Sequence, residues 1–246
     1  IPMSRPGTRP PASAPPLAPD TPRRLGRAIA LAVLIVVGLP IAIWNFYYPT
    51  YSWGQKTTVT VMTPEGERSG SAVVQVSWKD NPDLFPDAPH LKYEVRGEAT
   101  VVDLGDGNYL FALISGAERR GLATFGGQAE LPRFTNSLLP LVKATAASRG
   151  ERREVPPVYR PLLVTFTDIT DPASVARVDP DDLAASFGPG YALTSITLAI
   201  TGEPVTEGKA EAVLGWLDNK QLFEQIWPSL SSDIRSLLSS VNWKKG

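Results

Sequence analysis

Five carboxylates fall within fifteen positions of the stretch "DITDPASVARVDPDDLAASFGPG": Asp168, Asp171, Asp179, Asp181 and Asp182. Crowded carboxylates have two chemical uses. They can hold a hard cation through their oxygens, or one of them can keep a proton that the others push onto it. A calcium loop needs oxygen ligands at alternating positions in a loop bent by glycine, and that pattern is missing here. What the stretch does contain is Asp-Pro twice, at Asp171-Pro172 and Asp179-Pro180. An aspartate just before a helix accepts one of the N–H groups left unpaired there, stabilising the helix by ~1 kcal/mol. Proline suits the next position because it has no N–H to lose. The spacing therefore predicts two capped helices, over "ASVARV" and over "DDLAASF". Asp181 and Asp182 then sit in a first turn that favours negative charge, and Gly188-Pro189 ends the second helix.

Other residue types capable of chemistry are few. His90 is the single histidine, so any Ser/His/Asp machinery would depend on it, and no G-x-S-x-G turn accompanies it. Asp80, Asp83, Asp87 and His90 share one proline-rich segment and are the best metal candidates by type, but Asp and Pro are also the residues turns are made from, and the turn reading is preferred. "GEPVTEGKA" resembles a phosphate-binding loop, except that five residues separate its glycines where four are needed and Ala210 stands where Ser or Thr would hold magnesium. "LGDGN" lies inside a hairpin pattern and opens no helix, which removes the dinucleotide reading. The chain has no cysteine, so thiol catalysis and thiolate metal sites are excluded. No catalytic, cofactor-binding or metal-binding residue is assigned, and no cofactor is expected.

The elements that must position these residues begin with a long apolar run. Eight prolines in the first 22 residues, with few large apolar side chains, predict a disordered tail over 1–27. No charged residue occurs from Ala28 to Gln55, and "AIALAVLIVVGLPIAIWNFYY" over 28–48 is long enough, at ~1.5 Å per residue, to cross a hydrocarbon layer ~30 Å thick. Arg5, Arg9, Arg23, Arg24 and Arg27 all precede it, and the first cation after it is Lys56. By the positive-inside rule the tail is cytoplasmic and the part after the span is exported. Trp44, Phe46, Tyr47, Tyr48, Tyr51 and Trp53 mark the outer interface. Pro40 is expected to kink the outer half of the span. Without the five arginines and Asp20, the rest carries 19 cations and 24 carboxylates, a net −5 that argues against nucleic acid as a partner.

The exported part, 49–246, is long enough for one core. "TTVTVMTPEGERSGSAVVQVSW" alternates apolar and polar residues on both sides of Pro64–Glu67, with Val59 and Val61 facing Ala72, Val74, Val76 and Trp78 across a hairpin. "LKYEVRGEATVVDLGDGNYLFALI" reads as a second hairpin turning at Asp106-Gly107-Asn108. "PLLVTFTDI" and "YALTSITLAIT" bring the count to about six strands. "TNSLLPLVKATAAS" is helical. So is the C-terminal stretch, where Leu222, Ile226, Leu230, Ile234, Leu237, Leu238 and Val241 recur every three or four residues and Pro228 divides the run. The charged segment 147–161 between them reads as an exposed loop, and Lys244 and Lys245 as complements to the last helix end.

"TDPASVARVDPDDLAASFGPG", followed by "ITLAITGEPVTEG" and "LGWL", together with the hairpin "TVTVMTPEGERSGSAVVQV", resembles a group of single-span membrane-anchored proteins common in proteobacteria that has no assigned activity. The resemblance implies a bacterial, anchored protein and transfers no functional residue.

The expectation is an α+β fold: a mainly antiparallel sheet with helices packed on one face, preceded by one transmembrane helix. Its place would be a bacterial inner membrane, N-terminus cytoplasmic and C-terminal domain periplasmic. Its expected function is a non-enzymatic binding or scaffold component of an envelope complex, with membrane lipid around the anchor and a protein as partner. Two alternatives are a hydrolase using acids such as Asp80, Asp83 or Asp168, and a domain that binds a small ligand or lipid in an apolar pocket beneath the C-terminal helices.

Overall fold

The computed structural model of the chain describes residues 21–80, 91–127, 130–132 and 135–245. The chain divides into two compact units, Ile1–Tyr47 and Tyr48–Gly246. In the first, helix α1 (Thr21–Val33) runs into a π-helical turn (Leu34–Gly38) and then into helix α2 (Leu39–Tyr47) without a break. The turn has a local cause. Pro40 offers no N–H, and its ring collides with the carbonyl four residues back, which in a regular helix belongs to Val36. Widening the preceding turn, so that the Leu39 N–H bonds back to the Leu34 carbonyl, relieves that collision. As a result the run is split into pieces of 13, 5 and 9 residues. Among the described residues no single helix is long and apolar enough to cross a membrane, in place of the uninterrupted helix expected over 28–48. The helix also starts earlier than expected, so 21–27 of the predicted tail is helical and its remainder, 1–20, lies outside the described residues.

The second unit contains ten strands among its described residues: β1 (Thr50–Thr63), β2 (Gly66–Asp80), β3 (Leu91–Glu98), β4 (Thr100–Gly105), β5 (Asn108–Ala112), β6 (Arg152–Glu154), β7 (Leu163–Phe166), β8 (Val175–Val178), β9 (Ala192–Thr201) and β10 (Lys244–Lys245). Its helices are α3 (Ala117–Phe125), α4 (Leu139–Ala147), α5 (Ala184–Phe187), α6 (Lys209–Val213), α7 (Lys220–Ile226), α8 (Ser232–Leu238) and α9 (Ser240–Trp243). The α+β class is as expected, but the strands form two antiparallel sheets instead of one, a six-stranded sheet ordered β10-β3-β2-β1-β9-β6 and a four-stranded sheet ordered β4-β5-β7-β8.

The hairpin β1–β2 obeys the alternation in its sequence. Val59, Val61, Val74, Val76 and Trp78 are all buried, and the chain reverses at Pro64-Glu65, where the Thr63 hydroxyl donates to the Gly66 carbonyl at 2.8 Å. β4 and β5 turn at Asp106-Gly107, whose φ values of 52° and 77° are the left-handed pair a tight hairpin requires. The sequence pattern predicts the whole segment from Leu91 as the hairpin partner of β5. The structure instead divides that segment at Ala99, with β3 paired to β2 and β4 paired to β5.

The sheet change gives the four-stranded sheet two buried faces. One face, with Val102, Leu104, Leu110, Leu163 and Val178, shares a core with β1, β2, β9, α3 and α4. The other, with Phe111, Val164, Phe166 and Val175, is covered by Leu214, Trp216, Leu230, Leu237, Leu238 and Trp243 from the C-terminal segment. Aromatic edges meet faces there: Phe111–Trp243 and Phe166–Trp216 ring centroids are each 5.3 Å apart. The helices that contact the small sheet are the C-terminal α6 and α8, while α3 and α4 pack against strands of the large sheet. The segment 147–161 is no simple loop either, since it supplies edge strand β6 and the fully buried Val155.

Two close approaches explain glycines inside elements. Helix α3, which the sequence pattern did not announce, sits against β1 because Gly121 has no side chain: a Cβ there would lie 2.6 Å from Oε1 of buried Gln55. That amide accepts from the Trp53 indole at 3.2 Å and donates to the Ala117 carbonyl at 2.9 Å. At Gly70, β2 crosses β4 so closely that a Cβ would be 1.9 Å from the Val101 carbonyl oxygen. Backbone cannot yield there as a side-chain tip can. We therefore expect Gly70→Ala to lower the denaturant midpoint of the full chain by an amount corresponding to about 1–3 kcal/mol, the range for overpacked cores. Gly202→Ala, with nothing within 4 Å of the added atom, is expected to change it by less than about 0.5 kcal/mol.

Candidate functional site

The five clustered carboxylates act separately. Oδ1 of Asp168 accepts from the Thr170 N–H at 2.9 Å and hydroxyl at 2.7 Å. The Thr170 hydroxyl and then its N–H hold the Asp168 carboxyl below the usual carboxylate range, against a small opposing effect of burial. Asp171 accepts from the Ala173 N–H at 2.8 Å and so caps, as its spacing predicts, but the capped element is a single 3-10 turn (Pro172–Ser174) that leads into β8, in place of a helix over "ASVARV". The β-branched Val175 and Val178 are buried in the small sheet, and tertiary burial wins over the cap. Asp179 bonds the Asp181 N–H at 2.9 Å and closes a turn. The four-residue α5 is instead held by Asp182, which accepts from Ala185 N–H at 3.1 Å. Asp181 points toward Arg160, 3.7 Å away.

The loop that resembles a phosphate site is filled by the protein's own anion. The N–H groups of Lys209 and Ala210, at the start of α6, donate to the two carboxylate oxygens of buried Glu98 at 2.9 and 3.3 Å. This is the interaction a helix start offers any anion, here used to tie α6 to the end of β3. Asp80 ends β2 opposite Leu91, while Asp83, Asp87 and His90 lie outside the described residues. Among the described residues, no group of three or more Asp, Glu or His stands where it could hold a metal ion. Lys244 stands at the end of the last helix, as the C-cap residue of α9. Its β10 pairs with β3, and its ammonium bonds Glu211, which raises its pKa, and approaches Asp218 at 3.5 Å.

Sequence reading missed a buried polar cluster around α3. Arg120 is 3% exposed and donates to the carbonyls of Tyr159 and Ser115 at 3.2 and 2.9 Å; burial pulls its pKa down to about 10, partly offset by Glu118, so it stays charged at neutral pH. Glu118 also raises the Tyr93 pKa, chiefly through its charge. Such groups leave no mark in a periodicity pattern, since Arg119 and Arg120 look alike in the sequence.

The feature with the shape of a binding site lies in the C-terminal helices. A cleft of about 870 Å³ opens among α7, α8 and α9, with Leu217, Phe223, Trp227, Leu238 and Trp243 as apolar lining and Asp218, Lys220, Glu224 and Lys244 as charged members. Pro228 ends the helical ladder, so that a 3-10 turn over Trp227–Ser229 separates α7 from α8. The Trp243 ring is fixed by its N–H bond to the Leu237 carbonyl at 2.8 Å, and the Phe223 and Trp227 ring centroids are 6.4 Å apart. The volume is in the range of small-molecule pockets, about 300–1,000 Å³. The chain matches no protein-family model, no curated protein and no solved structure, so this geometry stands by itself.

The local role of Asp168 has a pH signature. Because its folded pKa is depressed, its contribution is present above the unfolded value and lost as pH falls through the folded one. We expect the Thr170 amide resonance to titrate with a midpoint below the ordinary aspartate value of about 3.9. Millimolar calcium, magnesium or manganese is expected to leave both that resonance and the thermal midpoint unchanged.

Proposed function

We propose that the protein is a membrane-tethered binding domain without catalysis of its own, anchored through its N-terminal helical run in a bacterial inner membrane and exposing 49–246 to the periplasm as part of an envelope complex. The observation that carries the binding reading is the aromatic cleft of about 870 Å³ in the C-terminal helices. Its apolar lining and charged rim suit an amphiphile or the apolar end of a larger envelope component. A hydrolase finds less support, since Asp168 is committed to Thr170 and Asp80 belongs to the other sheet.

What supports the anchor is the sequence together with the exposure of the run. Residues 28–48 carry no charge, and α1, the π-helical turn and α2 succeed one another without a gap. A π-helical turn still pairs its backbone internally, which is the requirement hydrocarbon imposes. Leu34 and Val36 are 67% and 70% exposed, and the large apolar side chains from Ile29 to Ile43 are exposed with them. Exposure to water costs about 1.5–3 kcal/mol for each, which lipid removes.

Two measurements test the reading. The full chain is expected to stay in the membrane pellet after alkaline carbonate extraction, and a variant lacking 28–48 to be released. In lipid nanodiscs, the full chain is expected to enhance the fluorescence of 11-(dansylamino)undecanoic acid, with the affinity falling about tenfold in Trp227→Ala, the loss of one well-packed aromatic contact. An equal affinity in that variant, with the far-UV spectrum unchanged, would remove the cleft as the binding site.

A further inference from the structure

The edge of the six-stranded sheet is only partly covered. β6 pairs with β9 from Thr197 to Ala199, and one further bond runs from the Val155 N–H to the Ile196 carbonyl at 2.9 Å. The next two residues, Pro156 and Pro157, have no N–H to give, and the chain turns away through a 3-10 turn (Pro157–Tyr159). The first part of β9, Ala192–Ser195, therefore pairs with β1 alone, and among the described residues no strand runs along its other side.

Main-chain groups alternate sides along a strand. Those of Ile196 and Ile200 face β6: their carbonyls accept from Val155 and Gly150, both at 2.9 Å. Thr194 is the extra residue of a bulge, because Thr60 pairs with Ser195 and Val61 with Leu193. Beyond the bulge, Leu193 returns to the orientation of Ile196 and turns its own N–H and carbonyl to the open side. A groove of about 460 Å³ lies there, lined by Leu193, Tyr191, Arg160, Asp181 and Asp182 among others, and it shares no lining residue with the aromatic cleft.

The groove's charges point one way. Among the described lining residues Arg160 is the one cation against two carboxylates, Asp181 and Asp182; its terminal nitrogens approach Asp181 at 3.7 Å and Glu154, which does not line the groove, at 3.6 Å. The Asp181 side chain is 88% exposed, so its carboxylate is open to a cation from outside.

We propose that this groove is a docking site for an extended segment of a partner protein, which adds as a short strand beside β9 and places a lysine or arginine against Asp181 and Asp182. Added strands take their affinity from main-chain bonds and their specificity from alternate side chains. The proline pair keeps the stretch open, and the bulge at Thr194 limits it to a few residues, a device that also protects edges from indiscriminate pairing.

Hydrogen exchange read by mass spectrometry on the full chain in detergent tests this with two synthetic peptides, acetyl-Thr-Lys-Val-Lys-Thr-Val-amide and its counterpart with glutamate in place of lysine. The basic peptide is expected to slow exchange across 191–196 by about tenfold or more and to bind at least about tenfold more tightly than the acidic one, as main-chain pairing and charge complementarity require. Methylating alternate peptide nitrogens is expected to abolish the protection. Asp181→Lys, at an exposed position, is expected to reverse the preference between the two peptides while leaving the spectrum of the fold unchanged. Protection that survives methylation, protection that maps to 217–244 instead, an unchanged preference in Asp181→Lys, or no protection at millimolar peptide would each overturn the proposal.

Discussion

The change of sheet between Glu98 and Thr100 is the constraint on which the second unit depends. Gly97, at φ 135°, lets the chain leave the ladder with β2, since a side chain there would meet Val74 at 2.7 Å. Glu98 turns its carboxylate to the start of α6, and the Ala99 N–H bonds the Trp243 carbonyl at 2.8 Å. Three residues thus hold together the large sheet, the small sheet and the C-terminal layer. Glu98 is 3% exposed, and an anion so buried is tolerable only because two N–H groups face it.

Prolines at three places shape the features with functional interest, each through a missing N–H. Pro40 widens the apolar run into a π-helical turn. Pro156 and Pro157 end β6 and leave part of β9 uncovered. Pro228 divides the C-terminal helices, among which the aromatic cleft lies. In each case the chain gives up regular hydrogen bonding at a defined residue, and the irregularity is what a ligand, partner or lipid can meet.

Carboxylates illustrate how tertiary context distributes a charge cluster. Asp168, Asp171, Asp179 and Asp182 each accept from a backbone N–H two or three residues onward, while Asp181 turns toward Arg160. Beside β9, Arg160 approaches Glu154 and Asp181, and Asp182 lines the groove with Asp181.

Local signals in the sequence sufficed for features that depend on neighbours along the chain. Period-two alternation revealed the β1–β2 hairpin and its buried valines, Asp106-Gly107 the tight turn, Asp171-Pro172 a cap, Pro228 a break, and 28–48 was visible as an uncharged apolar run. The two sheets, helix α3, the edge strand β6 and the replacement of a helix by β8 were not legible, because each depends on what a segment meets across the fold. Why Gly70 and Gly121 must be glycine is visible only with Val101 and Gln55 beside them. The cleft was legible only as an apolar pocket beneath the C-terminal helices, and the groove beside β9 not at all. A hydrogen-bond edge is defined by the absence of a neighbour in space, and periodicity records only which face of a strand is apolar, never whether another strand lies along its side.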